Sequence, residues 1–77
     1  MEKSMKDLGL SWEGIPKKWK WMTVDDDGGV WVYTDKPFQK TLYNMWVNNN
    51  NVNLISNIEM TSGIDWKTLI WERKNNE

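Results

Sequence analysis

The sequence predicts a mainly β fold, a β-rich α+β arrangement in which a small antiparallel sheet of three to four strands carries a short C-terminal helix. Three observations predict it. Two runs rich in Trp, Val, Thr and Tyr, at 18–24 and 30–34, flank the turn segment DDDGG. Two further segments, 41–48 and 52–60, alternate apolar and polar residues with the period of a pleated strand. One late segment, DWKTLIWERK, instead repeats its apolar residues at helical spacing.

Taken in chain order, Met1, Met5 and Leu8 have helical spacing, but Gly9 ends any helix soon after. Gly14 and Pro16 read as a turn leading into the first strand. The hairpin that comes next admits two registers. A three-residue loop of Asp26, Asp27 and Gly28, with the glycine left-handed, pairs Val24 with Val30, whereas a two-residue Asp27-Gly28 turn pairs Val24 with Trp31. The first register is preferred because it sorts side chains by type. It puts Trp19, Trp21 and Thr23 with Trp31 and Tyr33 on one face, and Met22 and Val24 with Val30 and Val32 on the other. Cross-strand aromatic pairs contribute up to about 1 kcal/mol each. Lys18 and Lys20 make the Met22 face amphipathic away from the turn, so the aromatic face is the expected core.

Pro37 then interrupts the ladder. TLYNMWVN comes after it as a third strand, with Thr41, Tyr43, Met45 and Val47 on one face and Leu42, Asn44 and Trp46 on the other. Four asparagines at 48–51 read as a loop. Val52, Leu54, Ile58 and Met60 alternate with Asn53, Asn57 and Glu59 as in a fourth strand, although Leu54, Ile55 and Ile58 also fit a helical stripe. After the turn TSG, Asp65 is the expected N-cap of the helix, whose face carries Trp66, Leu69, Ile70 and Arg73 and leaves Trp71 off the stripe. The tail KNNE is expected to fray.

At 77 residues the chain has room for one domain, 1–77, with an ordered core expected at about 17–72. It contains no cysteine and no histidine, which excludes disulfides and Cys/His zinc sites. Seven tryptophans supply the alternative, since each buried aromatic hides about 150–250 Å². Ten basic and eleven acidic residues leave a net charge of −1, too balanced for a general attraction to nucleic acid or an anionic membrane. The opening MEKSMKDLGLSW holds no apolar run of signal-peptide length, and no segment approaches a membrane span. With the absence of cysteine, this makes a cytoplasmic location the expectation.

The residues that carry chemistry point to contact rather than catalysis. General acid–base work needs a group poised near neutral pH, and histidine is missing; Asp65 is explained as a cap and Asp35 sits at a turn. No nucleophile lies beside a base, and DGG is a turn rather than a phosphate loop, so neither an enzyme nor a cofactor is expected. Asp25, Asp26 and Asp27 invite a calcium reading. Position twelve from Asp25 is Lys36, however, where an EF-hand loop requires glutamate, so a solvated acidic hairpin tip is the plainer account. That tip remains a contact point for a basic partner. Lys17, Lys18 and Lys20 interleave with Trp19 and Trp21 in the aromatic-plus-basic grammar of single-strand binders, or in the ordinary alternation of core tryptophan with solvated lysine. Trp12 and Trp71 are the aromatics least accounted for by the expected core, and are therefore candidate interface anchors alongside the acidic tip.

The order KWKWM, DDDGG, VWVYTDKP and DWKTLIWERK, over about residues 18–74, resembles that of small Trp-rich phage-type accessory proteins; NNNNVNLISN stands outside the pattern. The resemblance implies a β-rich, virus-encoded protein working in the cytoplasm of a bacterial host cell. It also implies a protein-binding module that inhibits or modulates a host enzyme or defence-system protein, such as a bacterial nuclease or immunity complex of the anti-CRISPR or anti-restriction type. Two other classes stay open. One is a single-stranded nucleic-acid binder using Lys17, Lys18 and Lys20. The other is a self-associating structural protein, because open β edges and a thin core are both relieved in a homodimer.

Overall fold

The computed structural model describes residues 3–48 and 50–77, so Met1 of the N-terminal helical spacing and Asn49 of the asparagine loop lie outside the described residues. Six strands form: β1 (Trp21–Val24), β2 (Gly29–Tyr33), β3 (Phe38–Lys40), β4 (Met45–Val47), β5 (Val52–Asn57) and β6 (Ile70–Glu72). They make an antiparallel four-stranded sheet in the order β5-β2-β1-β6 and a two-stranded sheet β3-β4.

The β1–β2 hairpin takes the sorted register, with Val24 opposite Val30 and Trp21 opposite Tyr33. Asp25 N donates to Gly29 O at 3.0 Å, which leaves Asp26, Asp27 and Gly28 as the loop. Gly28 sits at φ 90°, and a Cβ there would run into the carbonyl oxygen of Ile58. Ile58 N in turn donates to Gly28 O at 2.9 Å, so the end of β5 lies across the turn and only glycine fits between them.

Core clusters form on both faces of the sheet and the aliphatic one is sealed more completely, which corrects the expectation that the aromatic face is the core. Met22, Val24, Val30, Val32 and Leu69 are wholly enclosed, in one cluster with the buried rings of Trp12 and Trp19. Trp19 lies ahead of β1 and packs on this aliphatic side rather than with Trp21. The reason is a strap: Met5, Leu8, Leu10, Trp12 and Ile15 cross the aliphatic face and seal it. Packing therefore runs from Met5 to Arg73, wider than 17–72. The strap opens with one 3-10 turn, Lys6–Leu8, closed by a left-handed Gly9.

Arg73 fastens the strap. Its Nη1 donates to Pro16 O at 2.9 Å and Trp19 O at 3.2 Å. Its Nη2 donates to Ile15 O at 3.0 Å, Trp12 O at 3.5 Å and Glu77 O at 3.0 Å. The guanidinium also stacks 4.9 Å from the centre of the Trp12 ring. The two Nη groups of its planar fork tie these carbonyls together, while the buried Nε finds no partner among the described residues.

The C-terminal helix does not form. Asp65 does cap, its Oδ1 accepting from Lys67 N at 3.0 Å, but what it caps is a single 3-10 turn, Trp66–Thr68, that gives way to β6. A helix would put Trp66, Leu69 and Ile70 on one stripe. Instead Leu69 packs with the aliphatic cluster, Ile70 with the aromatic one, and Trp71 with the aliphatic again, the period of a strand. The free edge of β1 outweighs local propensity, pairing Met22 with Trp71 and Thr23 with Ile70.

The third strand is also shorter than its alternation suggests. Thr41–Tyr43 form a 3-10 turn and Asn44 is left-handed at φ 54°, so only Met45–Val47 extend. Their partner is Phe38–Lys40, a strand begun just beyond Pro37. Of the two readings for 52–60, the strand is correct and ends at Asn57.

Candidate functional site

The β3–β4 hairpin lies over the aromatic face, and a few polar contacts set its position. Trp46 N donates to Asp25 Oδ1 at 2.8 Å, and Tyr33 OH donates to Trp46 O at 3.2 Å while accepting from Thr23 Oγ1 at 3.3 Å. Trp46 Nε1 reaches Trp66 O at 3.3 Å, and the two indoles meet edge to face with centroids 6.0 Å apart. Burial, opposed by the Thr23 hydrogen bond and reinforced by the nearby Asp25 charge, pushes the Tyr33 hydroxyl up to about 12, so it stays a donor. Burial likewise raises Asp25 above the usual carboxylate range, against the lowering effect of the Trp46 N–H and with a smaller push from the Asp27 charge.

This hairpin covers only part of the face. Trp31 is left half-buried on the floor of two adjoining depressions that share Trp31 and Met45. One, of about 250 Å³, is walled by Asp26, Asp27 and Tyr43; the other, of about 290 Å³, runs on to Val47 and Val52 beside β5. Exposed apolar side chains adjoin them: Tyr43 in the wall is 60% exposed, Phe38, opposite Val47, 57%, and Leu54, opposite Trp31, 45%. Lys40 Nζ sits 5.1 Å from the Tyr43 ring centre. The arrangement is an apolar groove with a carboxylate pair at one end.

Of the residues expected at a site, the acidic tip is split. Asp25 is buried and spent on Trp46, which corrects its place at a solvated tip; Asp26 and Asp27 are exposed and flank the groove. Neither takes part in an ion pair among the described residues, whose salt bridge joins Lys67 and Asp65. Asp27 Oδ1 accepts from Gly29 N at 2.9 Å, and no group of three or more acidic side chains there is placed to hold a metal ion.

Trp12 is corrected as an exposed anchor. It is 5% exposed and belongs to the aliphatic core, because the strap that carries it closes that face. Trp71 is half-buried against the same cluster, and the two share a shallow depression of about 380 Å³ with Met5 and Leu10. The lysines are dispersed: Lys18 covers Trp19 at 4.8 Å, while Lys17 and Lys20 join Lys36 and Lys74 around Trp21, among the carboxylates of Asp35, Glu72 and Glu77. Sequence reasoning missed the groove residues Trp31, Tyr43 and Met45. Their signal was the uncovered half of a face assumed to be closed.

Among the described residues no helix is long and apolar enough to cross a membrane. No family model matches the chain, and neither a curated protein nor a solved structure does.

Proposed function

We propose that this chain is a protein-binding module whose docking site is the acidic end of the aromatic groove, built from Asp26, Asp27, Trp31, Tyr43 and Met45. The observation that carries the reading is the juxtaposition of two exposed carboxylates, neither in an ion pair among the described residues, with the exposed Tyr43 ring. Buried aromatic contacts anchor protein interfaces and rim charges select the partner. The matching surface is an apolar patch bearing an arginine or lysine, the chemistry of proteins that handle nucleic acid. With the resemblance to phage accessory proteins, this supports an inhibitor or modulator of a bacterial nuclease or immunity complex, acting in the host cytoplasm.

The test is capture from a bacterial lysate on the immobilised full chain, compared with the double variant Asp26→Lys, Asp27→Lys and with Tyr43→Ala. One protein retained by the parent, released by added salt and lost at least tenfold from both variants supports the reading. Equal retention by all three chains sinks it.

A second reading rests on the four lysines around Trp21, which fit a single strand of nucleic acid. Three carboxylates in the same wall oppose it. Binding to an oligonucleotide at about 50 mM salt, falling steeply as salt rises, would favour it over the first.

A further inference from the structure

We infer that β5 is the seam of a symmetric homodimer, in which two copies pair this strand antiparallel and join their four-stranded sheets into one of eight. The inference goes beyond the proposed docking site, because it uses the open edge of the sheet rather than its acidic end.

Strand β5 ends the sheet, bonded to β2 on one side only, and every residue from Val52 to Asn57 is exposed. Antiparallel ladders use alternate residues of a strand. Thr34 N donates to Asn51 O at 3.2 Å and Asn53 faces Val32, so Asn51 and Asn53 spend their main-chain groups on β2. Val52 and Leu54 therefore aim their N–H and C=O groups outward, unpaired. Natural proteins protect such an edge with charge, proline or brevity. The other edges of this molecule obey: β6 has three residues and carries Glu72, and β3 has three and carries Lys40. In contrast, β5 has six, and NNNNVNLISNI from Asn48 to Ile58 contains no charge and no proline.

A second copy fits this edge for three reasons. The register shift between Val30 and Trp31 places an extra residue, Ile55, in β5, and the kink it makes confines the free ladder to about residues 51–54. A two-fold axis at Asn53 uses just that stretch. It sets Val52 opposite the second copy's Leu54, with four main-chain hydrogen bonds and four aliphatic side chains on the face already lined by Trp31. Charge does not oppose the contact either. The acidic tip lies level with Ile58, five residues from the axis, so the two tips stand roughly 30 Å apart at about 3.3 Å per residue. That is several Debye lengths at ordinary salt, and the net charge of each copy is only −1. The seam is short, at or below the roughly 1,200 Å² of transient contacts, so the dimer forms at micromolar rather than nanomolar concentration.

Sedimentation equilibrium of the full chain from about 10 µM to 1 mM is expected to show a mass rising toward twice 9.2 kDa. Leu54→Lys should lower the association constant at least tenfold while leaving the circular dichroism spectrum unchanged. The register has its own test, which does not depend on that variant. The chain has no cysteine, and the two Asn53 residues form a non-hydrogen-bonded pair with Cα atoms about 4.5 Å apart, within disulfide reach. Asn53→Cys should cross-link on mild oxidation at least tenfold faster than Asn51→Cys. A monomer at every concentration overturns the inference, including a monomer that holds a different protein along β5. Equal cross-linking at both positions overturns it too.

Discussion

On one side of the sheet four aliphatic residues, Met22, Val24, Val30 and Val32, lose all contact with solvent. On the other, Trp21 and Trp31 keep part of their rings wet although Trp46 and Trp66 pack beside them. The difference lies in the covers. The N-terminal strap spans the aliphatic face and is held at both ends of its final loop by one guanidinium. The aromatic face has a hairpin of two three-residue strands, long enough to cover Tyr33 but not Trp31 and Val52. A chain of 77 residues can seal one face and only partly seal the other. Large amphipathic rings tolerate partial exposure, so the open half falls where the aromatics are. Stability is concentrated on one face and contact chemistry on the other.

The strongest way to break that division is to truncate one apolar side chain on each side. Met22→Ala should cost about 2–5 kcal/mol, since the cavity is enclosed by β-strands and strap. Leu54→Ala, at a half-exposed site, should cost less than about 1 kcal/mol. Urea midpoints at unchanged slope measure both. Comparable losses would mean that the aromatic side is as tightly packed as the aliphatic one.

A somewhat smaller effect tests the fastening of the strap. Arg73→Met keeps the stem and removes the fork, leaving the carbonyls of Ile15 and Trp19 without their donor, while those of Trp12 and Pro16 keep the Ile15 and Trp19 N–H groups. The expected loss is about 2–3 kcal/mol, in the range for hydrogen bonds to charged groups. Amide exchange should accelerate at Ile15 and Trp19, whose N–H groups bond within the strap, and not at Trp46. Acceleration spread evenly across both faces would show one cooperative unit rather than two covers.

How far the sequence revealed this depends on the range of the forces involved. The β1–β2 register was legible because side-chain type sorts by pleat and DDDGG demands a glycine in the left-handed region. The cap at Asp65 was legible for the same local reason. The conformation of the next segment was not: whether Leu69–Trp71 coil or extend depends on the free edge of β1, nearly fifty residues earlier in the chain. The strap hid from view because Arg73 reaches carbonyls 54 to 61 positions away, and no local pattern announces that. Trp12 was misjudged with it. At the acidic tip, three consecutive aspartates looked alike, and only the return of Trp46 over the sheet distinguishes the buried Asp25 from its exposed neighbours.

That buried aspartate offers the finest probe of how the hairpin is held to the aromatic face. Asp25→Ala strands the Trp46 N–H and should cost about 1–3 kcal/mol. Asp25→Asn keeps a carbonyl oxygen for that N–H and removes the buried charge, so at pH 7 it should be at least as stable as the parent. The pH dependence identifies the cause. Burial raises the Asp25 pKa in the fold above its ordinary 3.8, so the folded chain holds this proton more tightly than the unfolded one. Stability from that proton is complete below 3.8 and is lost as pH rises through the raised folded value. The parent should therefore gain on Asp25→Asn as the solution is acidified, with the gap at neutral pH closing toward pH 4, while other carboxylates cancel between the two chains. A difference in urea midpoint that stays constant from pH 7 to pH 4 would show that Asp25 sits in water, and that the hairpin is not latched by a buried carboxylate.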